Sequence, residues 1–160
     1  MSRTTPATRA LDKAGVAYTL ATYDYDPGAE RVGLQAAEAL GVAPGEVLKT
    51  LMVKADGKPA CVVLASDREV SMKRLAAVLG AKSAEMMKPA DAERLTGYRV
   101  GGVSAFGQKR SVPTVIDADA AALPSAFVNA GQRGLQARLA PADLVRVLTA
   151  IVATIATQEG

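Results

Sequence analysis

The sequence predicts a mixed α+β fold: a single domain over residues 1–160, with a mostly antiparallel, barrel-like sheet surrounded by helices. Three observations lead there. Helix and strand signals are interspersed along the chain, but hairpin-type connections outnumber βαβ units. Two apolar strand-like runs flank Asp56-Gly57, the strongest hairpin signal present. The 160 residues hold no internal repeat, low-complexity tract or long Gly/Ser/Pro linker, so they close one core.

The elements follow in order. Thr5-Pro6 reads as a cap with proline in the first helical turn, Ala10, Leu11 and Ala14 give that helix an apolar side, and Gly15 stops it. Ala17 to Tyr23 is strand-like, and Asp26-Pro27-Gly28 is a turn. Gly33 to Leu40 reads as a helix ended by Gly41. Val47 to Lys54 and Ala60 to Ala65 form the hairpin. Ser71 caps a helix running to Leu79, with Leu75 and Val78 inward and Gly80 after it. Ala84 to Met87 is a short strand, and Pro89 to Leu95 a helix stopped by Gly97. Tyr98 to Gln108 is a loop region. Thr114 to Ile116, Ala126 to Asn129 and Leu135 to Leu139 are strands, the last two joined tightly through Gly131 to Gly134. Pro141 opens a final helix with Leu144, Val147, Leu148 and Ile151 on one face.

Composition removes whole classes of chemistry. Histidine is absent and cysteine occurs once, at Cys61. No Ser-His-Asp or Cys-His arrangement, His-ligated zinc, four-cysteine site or intrachain disulfide can be built. Any catalysis must use Lys, Arg, Asp, Glu, Tyr, main-chain N–H or the substrate itself. Nineteen Lys and Arg against sixteen Asp and Glu leave a net charge of +3, compatible with a polyanionic partner without demanding one. With no Trp and two Phe, a sheet paved with base-stacking aromatics is not expected. The apolar tail from Val147 to Thr157 is too short for a bilayer, and the N-terminus lacks a signal pattern, so the expected compartment is the cytosol.

Several residues could carry function. Alternation places Val47, Lys49, Leu51 and Val53 on one strand face. Either Lys49 reaches a pocket, as a fixed cation for a phosphate or a developing oxyanion, or it snorkels at a sheet margin; spacing alone favours the margin. The loop from Gly101 to Gly107 could present successive N–H groups to an anion or carbonyl, although it matches neither a Walker A loop nor GxGxxG. As a lone glycine-rich loop it is more often an ordinary turn. Lys109-Arg110 and Arg133 could rim one site or be solvated loop charges. Cys61 reads as a buried small hydrophobe, because no base is available to it. Met86-Met87 reads as core. Tyr23 and Tyr25 could line a cleft or merely pack.

Taken together and in order, Tyr23-Asp24-Tyr25-Asp26-Pro27, Val47-Leu48-Lys49-Thr50-Leu51, Thr96 to Ser104, Gly107 to Arg110, Pro113 to Asp117 and Gly131 to Leu135 resemble the bacterial YbaK/EbsC family. That family includes the Cys-tRNA(Pro) deacylases and is related to the editing domain inserted in prolyl-tRNA synthetases. The resemblance runs from about Thr5 to the last helix. It implies a barrel-like sheet with helices around it and an aminoacyl-tRNA deacylase that clears mischarged tRNA(Pro), above all Cys-tRNA(Pro), with the substrate's own thiol attacking its ester carbonyl. It implies that Lys49 holds the tRNA 3′ end and that the Gly101 and Gly102 amides polarise the carbonyl. Tyr23, Val32, Thr50, Ser104, Gly131, Arg133 and Gln136 fall at substrate-binding positions. No metal or cofactor is implied. The implied partners are the aminoacylated tRNA 3′ end and, further, prolyl-tRNA synthetase, with no membrane.

The chain departs from the family pattern at four points: Ala105 where the loop usually has proline, Val32 where many members have Phe, Gln136 where Asp commonly stands, and Tyr25 where His is frequent. These bear on amino-acid preference more than on reaction class. A non-catalytic adaptor that docks on charged tRNA or a synthetase is the competing reading. A basic domain binding some other acyl or nucleotide ligand is the third.

Overall fold

A computed structural model describes residues 4–26 and 32–158. Helix α1 (Pro6–Lys13) begins with two threonines that cap each other: Thr8 N donates to Thr5 Oγ1 at 3.1 Å, and Thr5 N donates to Thr8 Oγ1 at 2.8 Å. The Thr5 hydroxyl also donates to Ala130 O at 2.5 Å, which ties the helix start to the strand that carries Ala130. Strand β1 (Thr19–Thr22) is shorter than expected, and helix α2 (Val32–Leu40) is found as expected. The turn at Pro27-Gly28 lies outside the described residues.

The hairpin of β2 (Leu48–Ala55) and β3 (Lys58–Ala65) is the centre of the molecule. Asp56 and Gly57 both have positive φ, +50° and +80°, as a two-residue turn of matching twist requires. After β4 (Arg68–Val70), Ser71 caps α3 (Met72–Val78) by accepting from Arg74 N at 3.2 Å. Then come β5 (Ala84–Met86), α4 (Pro89–Thr96), β6 (Thr114–Asp117), α5 (Ala118–Ala121), β7 (Ala126–Gln132), β8 (Leu135–Leu139), α6 (Pro141–Leu148), β9 (Ile151–Ala153) and β10 (Ala156–Gln158).

Three sheets form, in the orders β5-β2-β3-β6-β9, β1-β8-β7 and β10-β4. Pairing is antiparallel except for β3 with β6 and β6 with β9, so the mostly antiparallel expectation holds. The expected barrel does not close. The edge strands β5 and β9 are three residues each, too short to seal the main sheet, and a single parallel bridge from Val47 to Phe127 joins it to the β1-β8-β7 sheet. The last helix also ends earlier than its apolar face suggested: Thr149 adopts φ +50° and ψ +47°, and Ile151 instead pairs with Val115 in β9. None of the described helices is long and apolar enough to cross a membrane.

Alternation along β2 and β3 feeds two cores. Leu48, Met52, Cys61, Val63 and Ile116 pack with Leu11, Phe106, Val128 and Ala137 on the side of α1. Val53, Val62, Leu64 and Val115 pack with Leu75 and Ile155 on the other. Phe106 is fully buried, and Tyr98 donates its hydroxyl to Phe106 O at 2.6 Å, which pins the glycine-rich loop onto the first core.

One carboxylate closes the second core. Asp117 is 4% exposed, and its Oδ1 accepts from Ile155 N and Ala156 N, both at 3.0 Å. Those bonds set the return of the chain into β10, which pairs with β4. Asp117→Ala is expected to lower stability by about 2–4 kcal/mol, because two charge-assisted bonds are lost and a buried N–H is stranded. Urea denaturation checks the magnitude, and faster exchange of the Ile155 and Ala156 amides locates it.

Candidate functional site

A cavity of about 350 Å³ lies along the outer edge of β2. That edge is open by construction. β5 covers β2 only from Val53 to Ala55, and the bridge to β7 is at Val47. Met87 N donates to Met52 O at 3.0 Å, so the even-numbered residues of β2 turn their main-chain groups away from β3. Thr50 therefore presents its N–H and C=O outward in the gap, and it lines the cavity.

Lys49 lines the same cavity, with a side chain 22% exposed. Its Nζ lies 3.9 Å from Glu69 Oε1 on β4, and that carboxylate is itself 57% exposed. Much of the remaining wall is apolar, from Leu51, Met52, Met87, Pro89, Ala92 and Val103. Met86 and Met87 split: Met87 is 8% exposed, whereas Met86 is 49% exposed, because alternation on β5 turns it outward.

The loop after Gly97 is held at almost every residue. Val100 N donates to Glu93 Oε2 at 2.9 Å, and Arg133 Nε donates to Val100 O at 2.8 Å. Asn129 Nδ2 donates to Gly101 O at 3.1 Å, while Asn129 Oδ1 accepts from Gly131 N at 2.7 Å. Ser104 Oγ accepts from Phe106 N at 3.1 Å, and Ser104 O accepts from Gln108 Nε2 at 3.0 Å. Gly101 lines the cavity at φ +92°, with the Tyr25 hydroxyl packed where a Cβ would stand. Its N–H makes no hydrogen bond among the described residues. A donor held rigidly before the substrate arrives is what stabilises a developing oxyanion.

The residues singled out from sequence separate into two sets. Lys49, Gly101, Tyr23, Thr50 and Gln136 come together in the cavity. Gly102, Ser104, Gly131 and Arg133 stand behind it. The Gly102 N–H is already donated to Arg99 O at 2.8 Å, so it is not available to a carbonyl as expected. A Cβ there would meet Arg133 N at 2.8 Å, so Gly102 lets the loop touch the β7–β8 turn. Ser104 is fully buried and fixes the loop from inside. A Cβ on Gly131 would meet the Tyr98 ring at 2.8 Å. Arg133 sits over the Tyr25 ring at 5.0 Å from its centroid and clamps the loop as well as Tyr25. The Val32 side chain lies outside the described residues. Lys109 and Arg110 are exposed and do not line the cavity.

Asn129 is a lining position that the sequence reading did not single out. It lines the cavity and holds Gly101 O, and its only sequence signal is an asparagine two residues before a glycine at a strand end. Burial raises the Tyr23 phenol above its ordinary value. Cys61 is fully buried, and that burial pushes its thiol up to about 12. Iodoacetamide is expected to leave folded protein unlabelled at pH 8 and to label it once urea unfolds it; labelling of the native state, read as a mass increase, would refute the inert thiol.

Comparison with known proteins agrees with this fold. The family model described as aminoacyl-tRNA editing domain matches residues 27–147. An Enterococcus faecalis protein provisionally named Cys-tRNA(Pro)/Cys-tRNA(Cys) deacylase EbsC is 36% identical over 124 residues, 77% of this chain and 76% of that protein. A proline–tRNA ligase of Acidithiobacillus ferrooxidans is 32% identical over 91 residues, 57% of this chain but 16% of the ligase. A solved structure described as a hypothetical protein overlays with a TM-score of 0.86 at 22% identity, over 96% of this chain and 100% of that one. Another, described as a candidate trans-editing enzyme for prolyl-tRNA synthetase, gives 0.80 at 22% identity, over 99% and 100%. The two structures share the fold.

Proposed function

The chain belongs to the aminoacyl-tRNA editing domain family, and from that premise we propose that it is a trans-acting aminoacyl-tRNA deacylase acting on mischarged tRNA(Pro), foremost Cys-tRNA(Pro). The observation that carries the reading is the meeting, in one largely apolar cavity, of the Lys49 cation with Gly101, whose N–H is uncommitted in a loop fixed on all sides. An aminoacyl ester is already activated, so positioning and oxyanion stabilisation suffice for its cleavage.

In this reading Lys49 takes a phosphate of the tRNA 3′ end, and the outward main chain of Thr50 meets the terminal nucleotide. The Gly101 N–H receives the charge that builds on the ester oxygen. The substrate's thiol, as thiolate, attacks its own carbonyl carbon; the carbon–oxygen ester bond breaks, and the terminal ribose oxygen leaves and takes up a proton. No protein nucleophile is required, which suits a cavity where no carboxylate, imidazole or thiol is found among the described lining residues. The expected place of work is the cytosolic tRNA pool, and the likeness to proline–tRNA ligases makes prolyl-tRNA synthetase the candidate protein partner.

The test is incubation with tRNA(Pro) charged with cysteine, alanine or serine. Loss of at least one ester above the uncatalysed rate is expected, with affinity falling as salt rises. No loss from any of the three overturns the reading, and tight binding without cleavage would favour the adaptor.

A further inference from the structure

Gly101 sits in its turn at a place where the backbone has two ways to run. Gly102 N donates to Arg99 O at 2.8 Å, which closes a four-residue turn with Val100 and Gly101 at its centre. Gly101 has φ +92°, and among the described residues only Asp56 and Thr149 have positive φ without being glycine, so Val100 does not. That combination is a type II turn. A type I turn keeps the same closing bond and reverses the central peptide, here the one that joins Val100 to Gly101. Glycine takes the φ of either form. The Gly101 N–H belongs to that central peptide, so the turn type decides which way it points.

Three side chains hold the main chain of this turn, each on a different peptide. Glu93 Oε2 accepts from Val100 N at 2.9 Å and so holds the peptide before the central one. Asn129 Nδ2 donates to Gly101 O at 3.1 Å and so holds the peptide after it. Arg133 Nε donates to Val100 O at 2.8 Å, and of the three it alone grips the central peptide. A trans peptide is planar, with its oxygen and its hydrogen pointing in opposite directions. The group that fixes Val100 O therefore fixes the Gly101 N–H and aims it away from the guanidinium. Gly101 lines the cavity, and Arg133 stands behind it. The guanidinium is held in turn over the Tyr25 ring, 5.0 Å from its centroid.

We infer that Arg133 aims the Gly101 N–H at the substrate: it is a positioning residue that acts through the peptide it holds, and it does not take a phosphate of the tRNA. The inference rests on the deacylase reading with Gly101 as oxyanion donor. It goes beyond that reading by giving Arg133, a substrate-binding position by resemblance, a different task. A donor aimed before the substrate arrives needs no reorganisation in the transition state.

Two substitutions separate the tasks. Arg133→Gln removes the charge, but its Nε2 stands as many bonds from Cα as the arginine Nε, so a donor to Val100 O is kept. Arg133→Lys keeps the charge and puts a methylene where Nε was. Rates are measured on tRNA(Pro) charged with cysteine, alanine or serine, using the ester that wild type clears fastest. Arg133→Lys is expected to lower kcat by about tenfold or more with KM within about twofold, and Arg133→Gln to stay within about threefold of wild type in both. Arg133→Lys added to Gly101→Ala should cost no further rate, since both act on one amide. The reverse order, with the lysine variant near wild type and the glutamine variant raised in KM, makes Arg133 a phosphate contact and overturns the inference. Equal rates in the two variants overturn it too. So does a kcat loss that follows the melting temperature across both variants, which marks a structural clamp. If wild type clears none of the three esters, the deacylase reading fails and takes this inference with it; clearance without the advantage of glutamine over lysine removes the inference alone.

Discussion

Lys49→Ala is expected to lower the deacylation rate at least about 100-fold while leaving the fold intact. Lys49 is the cation of the cavity, held on a central strand with 22% of its side chain exposed. Two unit charges at about 4 Å attract by roughly 4 kcal/mol at the effective dielectric of a protein margin, enough for a factor of several hundred if most of it is realised on the bound state. Its ion pair with Glu69 is long at 3.9 Å and half open to solvent, so losing that pair costs the fold little. A loss seen mainly in KM would identify Lys49 as the holder of the tRNA end, and one in kcat would place it at the reacting ester. Lys49→Arg keeps the charge and should retain part of the rate. Full activity in Lys49→Ala would show that the site has been misplaced.

Gly101→Ala is expected to lower the rate about 100- to 1,000-fold, the range seen when one oxyanion donor is lost. Two independent effects act. At φ +92° an L side chain is strained, and the new Cβ would stand 2.8 Å from Cζ and 3.0 Å from Cε1 of Tyr25. Tyr25 cannot retreat freely, because Arg133 covers its ring while also binding Val100 O. The loop must move instead, and the Gly101 N–H moves with it. Adding Tyr25→Ala should relieve the contact but not the backbone strain, so the double variant should recover part of the lost rate. A Gly101→Ala protein with normal melting and normal rate would remove the oxyanion role from this amide.

Much of this was legible in the sequence where the signal was local. The Asp56-Gly57 hairpin, the Thr5 cap and the Gly97 stop appear as read, because each depends on a few adjacent residues. Strands β4, β9 and β10 were not read. Each is three residues long and exists through partners far away in the chain, as in the pairing of Gln158 with Arg68. Ile151 continued the apolar face of the last helix, and only the left-handed turn at Thr149 sends it elsewhere. Within the site, Lys49, Thr50 and Tyr23 were named through the family resemblance, because spacing alone favoured a margin lysine and left Tyr23 open. Whether the Gly102 N–H was free was not legible, since that hydrogen-bond commitment is a property of the folded loop.

The neutral make-up of the cavity has a consequence for how the reaction responds to acidity. The groups that ordinarily change charge between about pH 4 and 9 are carboxylates, imidazole and thiol, and none is among the described residues that line this cavity. Apart from Glu69, which pairs with Lys49 at 3.9 Å, a rate–pH curve over that span then carries no limb from the described lining residues. Its other inflections belong to the charged tRNA itself, to the α-amine and thiol of the attached amino acid, and they should shift when that amino acid is exchanged rather than when the protein is mutated.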